Sequence, residues 1–368
     1  MPTNTAAWLD GRYADLTVRP APYTAPGASE IVIRNRAVAV NPLDTIKQSS
    51  GDFMYRWLPY PAVLGEDVAG EVVEIGSAVT RFRVGDRVLA YAVGMEKGRN
   101  HSAEGGFQHY TVVREQLTAP LPATMSVEEA VVLPLAISTA ASALFQRDQL
   151  GLRHPVSAPE PAGQTVVVWG GSTSVGSNAI QLAVAAGYDV VATASPHNHE
   201  LLARLGASRV FDYAAATVVN DVIAALRGSV VAGVLAVGTG SAEPSVAIAA
   251  ATGARRVAMA SPSVSFATLR GVNLHFAQVM ARLVAGNIAL QLRCLRHGVR
   301  ARFVWGSSLM TNEVGPMLWA DFLPAALAEG RYLPTPAAEV VGTGLDQVQP
   351  ALTALRRGVS ARKLVVSL

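Results

Sequence analysis

Val166-Val-Val-Trp-Gly170-Gly171-Ser172-Thr173-Ser174-Val175-Gly176-Ser-Asn-Ala-Ile-Gln-Leu-Ala183 is the stretch that decides how this chain is read. An apolar run meets a cluster of small residues, and an apolar-periodic helix begins at once. The run predicts a buried strand, and the cluster predicts a tight turn. Together they put backbone N–H groups and a helix start at one spot. Helix starts carry unpaired donors and partial positive charge, so they favour phosphate. The glycines let the backbone turn sharply and come close to a pyrophosphate. The reading is a dinucleotide site formed by Gly170, Gly171, Ser172, Thr173, Ser174 and Val175. The plainer alternative is a strand-to-helix turn that binds nothing.

The residues downstream of the turn favour the site. Asp189-Val-Val-Ala-Thr193-Ala-Ser195 predicts a second strand, after a helix ending near Gly187, which makes a βαβ unit. NAD-selective sites place a carboxylate near the end of that second strand, on the ribose 2′-OH. Here the strand runs into Ser195-Pro196-His197-Asn198, which holds no acid. Hydroxyl, imidazole and amide donors would accept a 2′-phosphate, so NADPH is expected over NADH, with Ser195, His197 and Asn198 as contacts. Ser195 also suits a helix cap and Pro196 a first helical position.

Bulk composition sets the limits. With 368 residues, half of them hydrophobic, the chain is long enough for two folded domains. A net charge of +3 is too mild for a nucleic-acid protein. The single cysteine, Cys294, excludes an internal disulfide framework and a cysteine-based zinc cluster. Met-Pro-Thr-Asn-Thr-Ala-Ala-Trp at the start lacks a basic region followed by an apolar run, so no signal peptide is expected. Ala130 to Phe145 is apolar but short for a span, carries Pro134, Ser138, Thr139 and Ser142, and reads as buried structure. The expectation is a cytoplasmic protein with no nucleic-acid or membrane partner.

Up to about residue 120 the pattern is β-rich. Ile31–Val40, Gly70–Gly76 and Val84–Ala90 read as short strands between turn residues, which suggests a barrel-like β domain. Ser126 with Glu129 forms a capping box, and helix then alternates with strand. Thr165–Trp169, Asp189–Thr193, Arg209–Phe211, Gly233–Val237 and Arg256–Ala260 are predicted strands of one parallel sheet. Residues 148–163, with three prolines, read as a linker or surface loop. Lys363-Leu-Val-Val-Ser predicts a last strand that returns to the first domain. Between Leu269 and Arg302 the pattern is less clear. Its cations Arg293, Arg296, His297, Arg300 and Arg302 read either as a solvated helix face or as a dock for an acidic carrier or its phosphopantetheine arm.

Several ordered motifs carry a resemblance that covers nearly the whole chain. They are Asn41-Pro-Leu-Asp44, Pro61-Ala-Val-Leu-Gly65-Glu66-Asp67-Val-Ala-Gly70, Val84-Gly-Asp-Arg-Val88 and Leu133-Pro134 through Ser138-Thr139-Ala140. The glycine turn comes next, then Leu205-Gly-Ala207, Phe211-Asp-Tyr213 and Lys363-Leu-Val-Val366. The sequence resembles the medium-chain dehydrogenase/reductases of the zinc-independent, quinone-reductase type. Within them it is most similar to the trans-acting enoyl reductases that serve polyketide synthases. Residues 265–315 depart from that pattern.

The resemblance implies an α/β fold: a GroES-like β-barrel domain over 1–125 and 338–368, plus a Rossmann doubly wound parallel sheet over 126–337. It implies NADPH-dependent hydride transfer to the β-carbon of an α,β-unsaturated carbonyl. NADPH:quinone reduction, or cofactor binding with little turnover, are the alternatives. Zinc-dependent relatives place Cys where Asn41 lies and His where Glu66 lies; Asn and a lone carboxylate are poor zinc ligands, so no metal is expected. Thr139 and then Lys47 are the candidate catalytic donors to a developing enolate. Thr139 also suits the nicotinamide carboxamide, and Lys47 the ribose or a pairing with Asp44. Asn41, Asp44 and Thr45 are placed near the nicotinamide ribose, Tyr213 near the adenosine, and Ser360 completes the cofactor contacts. The implied partners are a small-molecule or carrier-bound enoyl substrate and an acyl carrier protein or polyketide synthase, for a monomer or homodimer.

Overall fold

The computed structural model describes residues 2–266, 269, 271 and 273–368, so positions 270 and 272 of the unclear stretch lie outside the described residues. The chain divides into two units. Unit 1 comprises Met1–Leu135, Phe266–Phe276 and Trp319–Leu368, and unit 2 comprises Ala136–Ser265 and Ala277–Leu318.

Unit 1 is built from short strands cut by turns. Its N-terminal strands are β1 (Asn4–Leu9), β2 (Leu16–Ala21), β3 (Glu30–Ala39), β4 (Ala62–Val63), β5 (Asp67–Ile75), β6 (Arg87–Tyr91), β7 (Tyr110–Arg114) and β8 (Thr118–Pro120). β1 pairs antiparallel with β2 and β4 to form a small three-stranded sheet. β3, β5, β6 and β8 follow one another in a larger antiparallel sheet, and β7 also pairs with β3. The predicted strands at 31–40, 70–76 and 84–90 correspond to β3, β5 and β6 with shifted ends.

Unit 2 carries β9 (Thr165–Trp169), β10 (Asp189–Ala194), β11 (Arg209–Asp212), β12 (Val231–Ala236), β13 (Arg256–Met259) and β14 (Arg300–Phe303). All six pair in parallel, in the order β11-β10-β9-β12-β13-β14. This is the doubly wound order, with a switch point between β9 and β12. Central strands read as continuous apolar runs because helices cover both faces. Residues of β9, β12 and β13 share one core with Val246 and Ala249 of the helix Ala242–Thr252 and with Leu290 and Cys294 of the helix Leu274–His297. That last helix and β14 fill the stretch that the sequence pattern left unassigned.

The chain then returns to unit 1. β15 (Ala337–Thr343) pairs in parallel with β16 (Arg362–Ser367), which joins the edge of β3 as the last motif predicted. The boundaries expected at 126 and 337 both fall inside unit 1. One reason is local: Ser367 donates to the Glu128 carboxylate at 3.0 Å, and Arg81 donates to the Trp319 carbonyl at 2.9 Å. The Ser126–Glu129 capping box is present, with Ser126 accepting from the Glu129 N–H at 3.1 Å. Val127–Phe145 is long and apolar enough to cross a membrane by length and composition, but 72% of its apolar window is buried inside the protein.

Candidate active site

In unit 2 the glycine turn joins β9 to the helix Ser174–Ala185. Gly170 has a φ of +83°, and a Cβ there would fall 2.4 Å from the Val237 carbonyl oxygen. At Gly176 a Cβ would lie 2.2 Å from the Gly170 oxygen, so only glycine lets the helix start this close to the strand. Thr173 caps the helix: its hydroxyl accepts from the Gly176 N–H at 3.0 Å and donates to the Gly170 carbonyl at 2.7 Å. The N–H groups of Gly170 and Gly171 go to the Thr193 hydroxyl and carbonyl, at 3.0 and 2.8 Å. The two glycines and Thr173 therefore shape the turn. Ser174 and Val175, the first two helical residues, hold the N–H groups that a helix leaves without intrahelical partners.

Three neighbouring parallel strands end beside one another, so the loops after them share one edge of the sheet. β9 supplies Gly170–Val175. β10 is followed by Ser195, which stands half-buried before a short turn Pro196–Asn198 and makes no side-chain cap bond. His197 is exposed and Asn198 buried. β11 is followed by Tyr213, 50% exposed, which rules out a core role for that ring. Asp212 ends β11 and spends one oxygen on the Ala214 N–H at 2.9 Å. The fold thus gathers six turn residues, Ser195, His197, Asn198 and Tyr213 at the carboxyl end of the sheet, where open α/β sheets bind ligands.

Thr139 lies in the helix Pro134–Phe145 and is nearly buried. It faces Gly306, just after β14: a Cβ at Gly306 would meet the Thr139 hydroxyl oxygen at 2.4 Å. Ser142, three residues on, donates to the Gly306 carbonyl at 3.1 Å, and Gln146 donates to the Ser308 hydroxyl at 2.7 Å. One polar face of this helix therefore holds the loop at 306–308.

In unit 1 the helix Pro42–Ser50 starts at Asn41, whose N–H donates to the Asp44 carboxylate at 2.7 Å. Thr45 donates back to the Pro42 carbonyl at 2.7 Å. Asn41 donates its amide to Asp67 at 2.8 Å; Lys363 donates to the Asn41 oxygen and pairs with Asp67 at 2.8 Å. Asp67 also accepts the Leu135 N–H at 2.6 Å. The whole cluster is buried. Burial pushes the Asp44 carboxyl up to about 7, reinforced by the charge of Asp67. Glu66 is fully buried, one of its oxygens is unpartnered, and desolvation raises it well above the usual carboxylate range. The cluster therefore combines the Lys363–Asp67 ion pair with two carboxyls, Asp44 and Glu66, whose protonated forms burial favours.

For Lys47 the structure replaces the surface pairing with Asp44 by another partner. The Lys47 side chain is fully buried, its ammonium donates to Asp52 at 2.7 Å and to the Tyr55 carbonyl at 2.8 Å, and it sits 4.3 Å above the Tyr60 ring. The helix carries Asp44 inward toward Asn41 and aims Lys47 at the next loop. Ser360 is exposed, two residues before β16. Sequence reading missed Thr193, Gly306, Asp67 and Lys363 as site-shaping residues. Each acts through a partner far away in the chain, so no local pattern announced it.

The comparisons agree with this architecture. A family model described as the alcohol dehydrogenase GroES-like domain matches residues 27–123. A protein named dehydrogenase pigH from Monascus ruber is 49% identical over 371 residues, covering all of both chains. A trans-enoyl reductase, himH, from Aspergillus japonicus is 38% identical, covering 99% of this chain and 97% of its own. Among solved structures, the CurK enoyl reductase superposes with a TM-score of 0.75 at 19% identity, over 100% of this chain and 99% of that one, a likeness of fold. The chain belongs to the medium-chain dehydrogenase/reductase family, with a GroES-like domain and a Rossmann-like parallel sheet. It is an oxidoreductase of that pyridine-nucleotide-dependent family.

Proposed function

We infer that the protein reduces the C=C bond of an α,β-unsaturated carbonyl, an enone or an enoyl thioester, with NADPH and without zinc. The observation that carries the cofactor half is the sheet edge where the glycine turn, Ser195, His197, Asn198 and Tyr213 meet. Gly170 and Gly176 leave no room for a Cβ, and Ser174 and Val175 offer N–H groups at a helix start; these residues would hold the pyrophosphate. Ser195, His197 and Asn198 would hold the 2′-phosphate, and no carboxylate stands among them. When bound, NADPH supplies a hydride to the β-carbon. Thr139 would then donate its hydroxyl hydrogen to the carbonyl oxygen, where negative charge grows, or fix the carboxamide. The names of the trans-enoyl reductase relatives support the substrate class.

The zinc-free half rests on the cluster in unit 1. The position equivalent to a zinc-binding cysteine is Asn41, and its oxygen is already bound to the Lys363 ammonium. A fixed cation there opposes a second one, and the cluster offers neither thiolate nor imidazole. Conjugate reduction needs no Lewis acid on an alkoxide. We place the enzyme in the cytoplasm, acting on an enoyl group that is free or carried by an acyl carrier domain.

The test is oxidation of NADPH and NADH in the presence of a crotonyl thioester, a simple enone and a quinone, with and without a chelator. Turnover of the thioester or enone with NADPH, indifferent to chelator, is expected. Turnover of the quinone alone would replace the reading with quinone reduction. Tight NADPH binding without turnover of any of the three would replace it with a binding protein.

A further inference from the structure

Unit 2 holds a cleft that the cofactor site does not use. It measures about 390 Å³ and opens between the helix Ala242–Thr252 and the helix Leu274–His297. Val246, Ala247, Ala250 and Ala251 line it from the first helix, Arg293 and His297 from the second. The volume falls within the range of small-molecule sites, about 300–1,000 Å³. Strand order fixes its place. Each crossover helix of a parallel sheet starts at the carboxyl edge and ends at the amino edge. Ala250 and Ala251 come shortly before β13, and His297 shortly before β14. The cleft therefore sits toward the amino edge, away from the carboxyl edge where the glycine turn, Ser195 and Asn198 gather.

Small side chains make the hollow. Val246 and Ala249 of the first helix meet Leu290 and Cys294 of the second in the sheet core, and there the two helices close on each other. Beyond that contact Ala247, Ala250 and Ala251 offer only methyl groups, half-buried at 247 and 250 and exposed at 251. Arg293 and His297 are exposed, and long or polar-tipped side chains keep their heads in water, so they edge the hollow rather than fill it. Spaced i, i+4, the two lie on one side of their helix. Among the described residues neither has an ion-pair or hydrogen-bond partner. Competing acids are distant in sequence: from Pro244 to Asn312 the chain has no Asp or Glu but eight Arg. Offsetting the helix dipole accounts for Arg296 and His297 in the last turn, but Arg293 stands outside that turn. A guanidinium fork matches the two coplanar oxygens of a carboxylate, and a floor of methyl groups suits a slim, unbranched chain.

We propose that this cleft binds a small aliphatic monocarboxylate, its head on Arg293 and His297 and its chain along Ala247, Ala250 and Ala251. The site is separate from the cofactor edge and stands whether or not the enzyme reduces enoyl groups. Octanoate is the probe, with acetate, octylammonium and octyl phosphate as controls. Binding to the full chain is read by isothermal titration calorimetry for the wild type, Arg293→Gln and Ala250→Leu. The first change removes the charge. The second fills the floor with a residue that favours helix, and circular dichroism checks its fold; Arg293→Gln, at an exposed position, decides the matter if Ala250→Leu does not fold.

Octanoate should bind the wild type at a single site, and each folded variant should weaken it at least tenfold. Acetate, which has the head without the chain, should bind at least tenfold more weakly than octanoate. NADPH affinity, from a fluorescence titration, should be the same with and without saturating octanoate, because the two occupy opposite edges of the sheet. A wild type that binds no octanoate overturns the proposal, as does equal octanoate affinity in wild type and Arg293→Gln. Octylammonium bound as tightly as octanoate overturns the charge argument and the proposal with it. Tighter binding of octyl phosphate overturns the choice of a carboxylate head, and displacement of octanoate by NADPH overturns the choice of cleft.

Discussion

Replacing Lys363 by Met tests whether an internal cation holds unit 1 together. The Lys363 and Asp67 side chains are 4% and 0% exposed, and the ammonium sits 2.8 Å from the carboxylate. Met keeps the length of the stem but removes the charge, leaving the Asp67 anion buried beside Asp44 and Glu66. Removing one partner of a buried pair costs about 3–5 kcal/mol. Asp67 retains two donors, the Asn41 amide and the Leu135 N–H, so the low end applies, about 3 kcal/mol. With a urea slope of about 1–3 kcal/mol/M, the midpoint should fall by about 1–3 M. Tryptophan fluorescence follows it well, because Trp8, Trp57 and Trp319 all lie in unit 1. Adding Asp67→Asn should recover part of the loss, since the orphaned charge is gone. A Lys363→Met midpoint equal to that of the wild type would refute the argument.

Other consequences arise from the same geometry. Burial lifts Asp44 from 3.8 to about 7, so the folded state holds a proton that the unfolded chain has released. Its contribution to stability is therefore present below about pH 4, falls as pH rises toward 7 and levels off above; urea midpoints of wild type minus Asp44→Asn should trace that decline, and a flat difference would contradict it. Ser195→Asp should weaken NADPH at least tenfold, about 1.4 kcal/mol, and NADH much less, in a fluorescence titration; unchanged NADPH affinity would move the 2′-phosphate elsewhere. Thr139→Val should cut turnover about a hundredfold with the fold intact, as expected for a lost donor in a dry site. Gly306→Ala should lower turnover in the same direction by crowding the Thr139 hydroxyl; full activity in both variants would remove Thr139 from the chemistry.

Unit 2 was legible because its strands are buried on both faces. Val166–Trp169 and Val190–Val191 announce themselves as apolar runs, and the turn between the first of them and the next helix needs Gly170 and Gly176 for contacts under 2.5 Å. The helix Leu274–His297 was not legible, since apolar residues on two opposite sides blur the single stripe that marks an amphipathic helix. β14, Arg300–Phe303, hid behind two exposed arginines at the sheet edge. The polar cluster was half visible: Asn41, Asp44 and Glu66 stood out by resemblance, but the partner that completes them is 322 residues from Asn41. The partners of Lys47 were hidden for a related reason, because Asp52 and Tyr55 sit in a loop whose path no periodicity records.

The most direct measurement uses NADPH deuterated on nicotinamide C4, with a crotonyl thioester as acceptor and NMR of the product. Hydride delivery to the β-carbon predicts a saturated butyryl thioester with one deuterium at C3, formed at the same rate after zinc chelation. Deuterium at the carbonyl carbon, in an allylic alcohol or aldehyde, or a product that forms only with added zinc, would contradict the account.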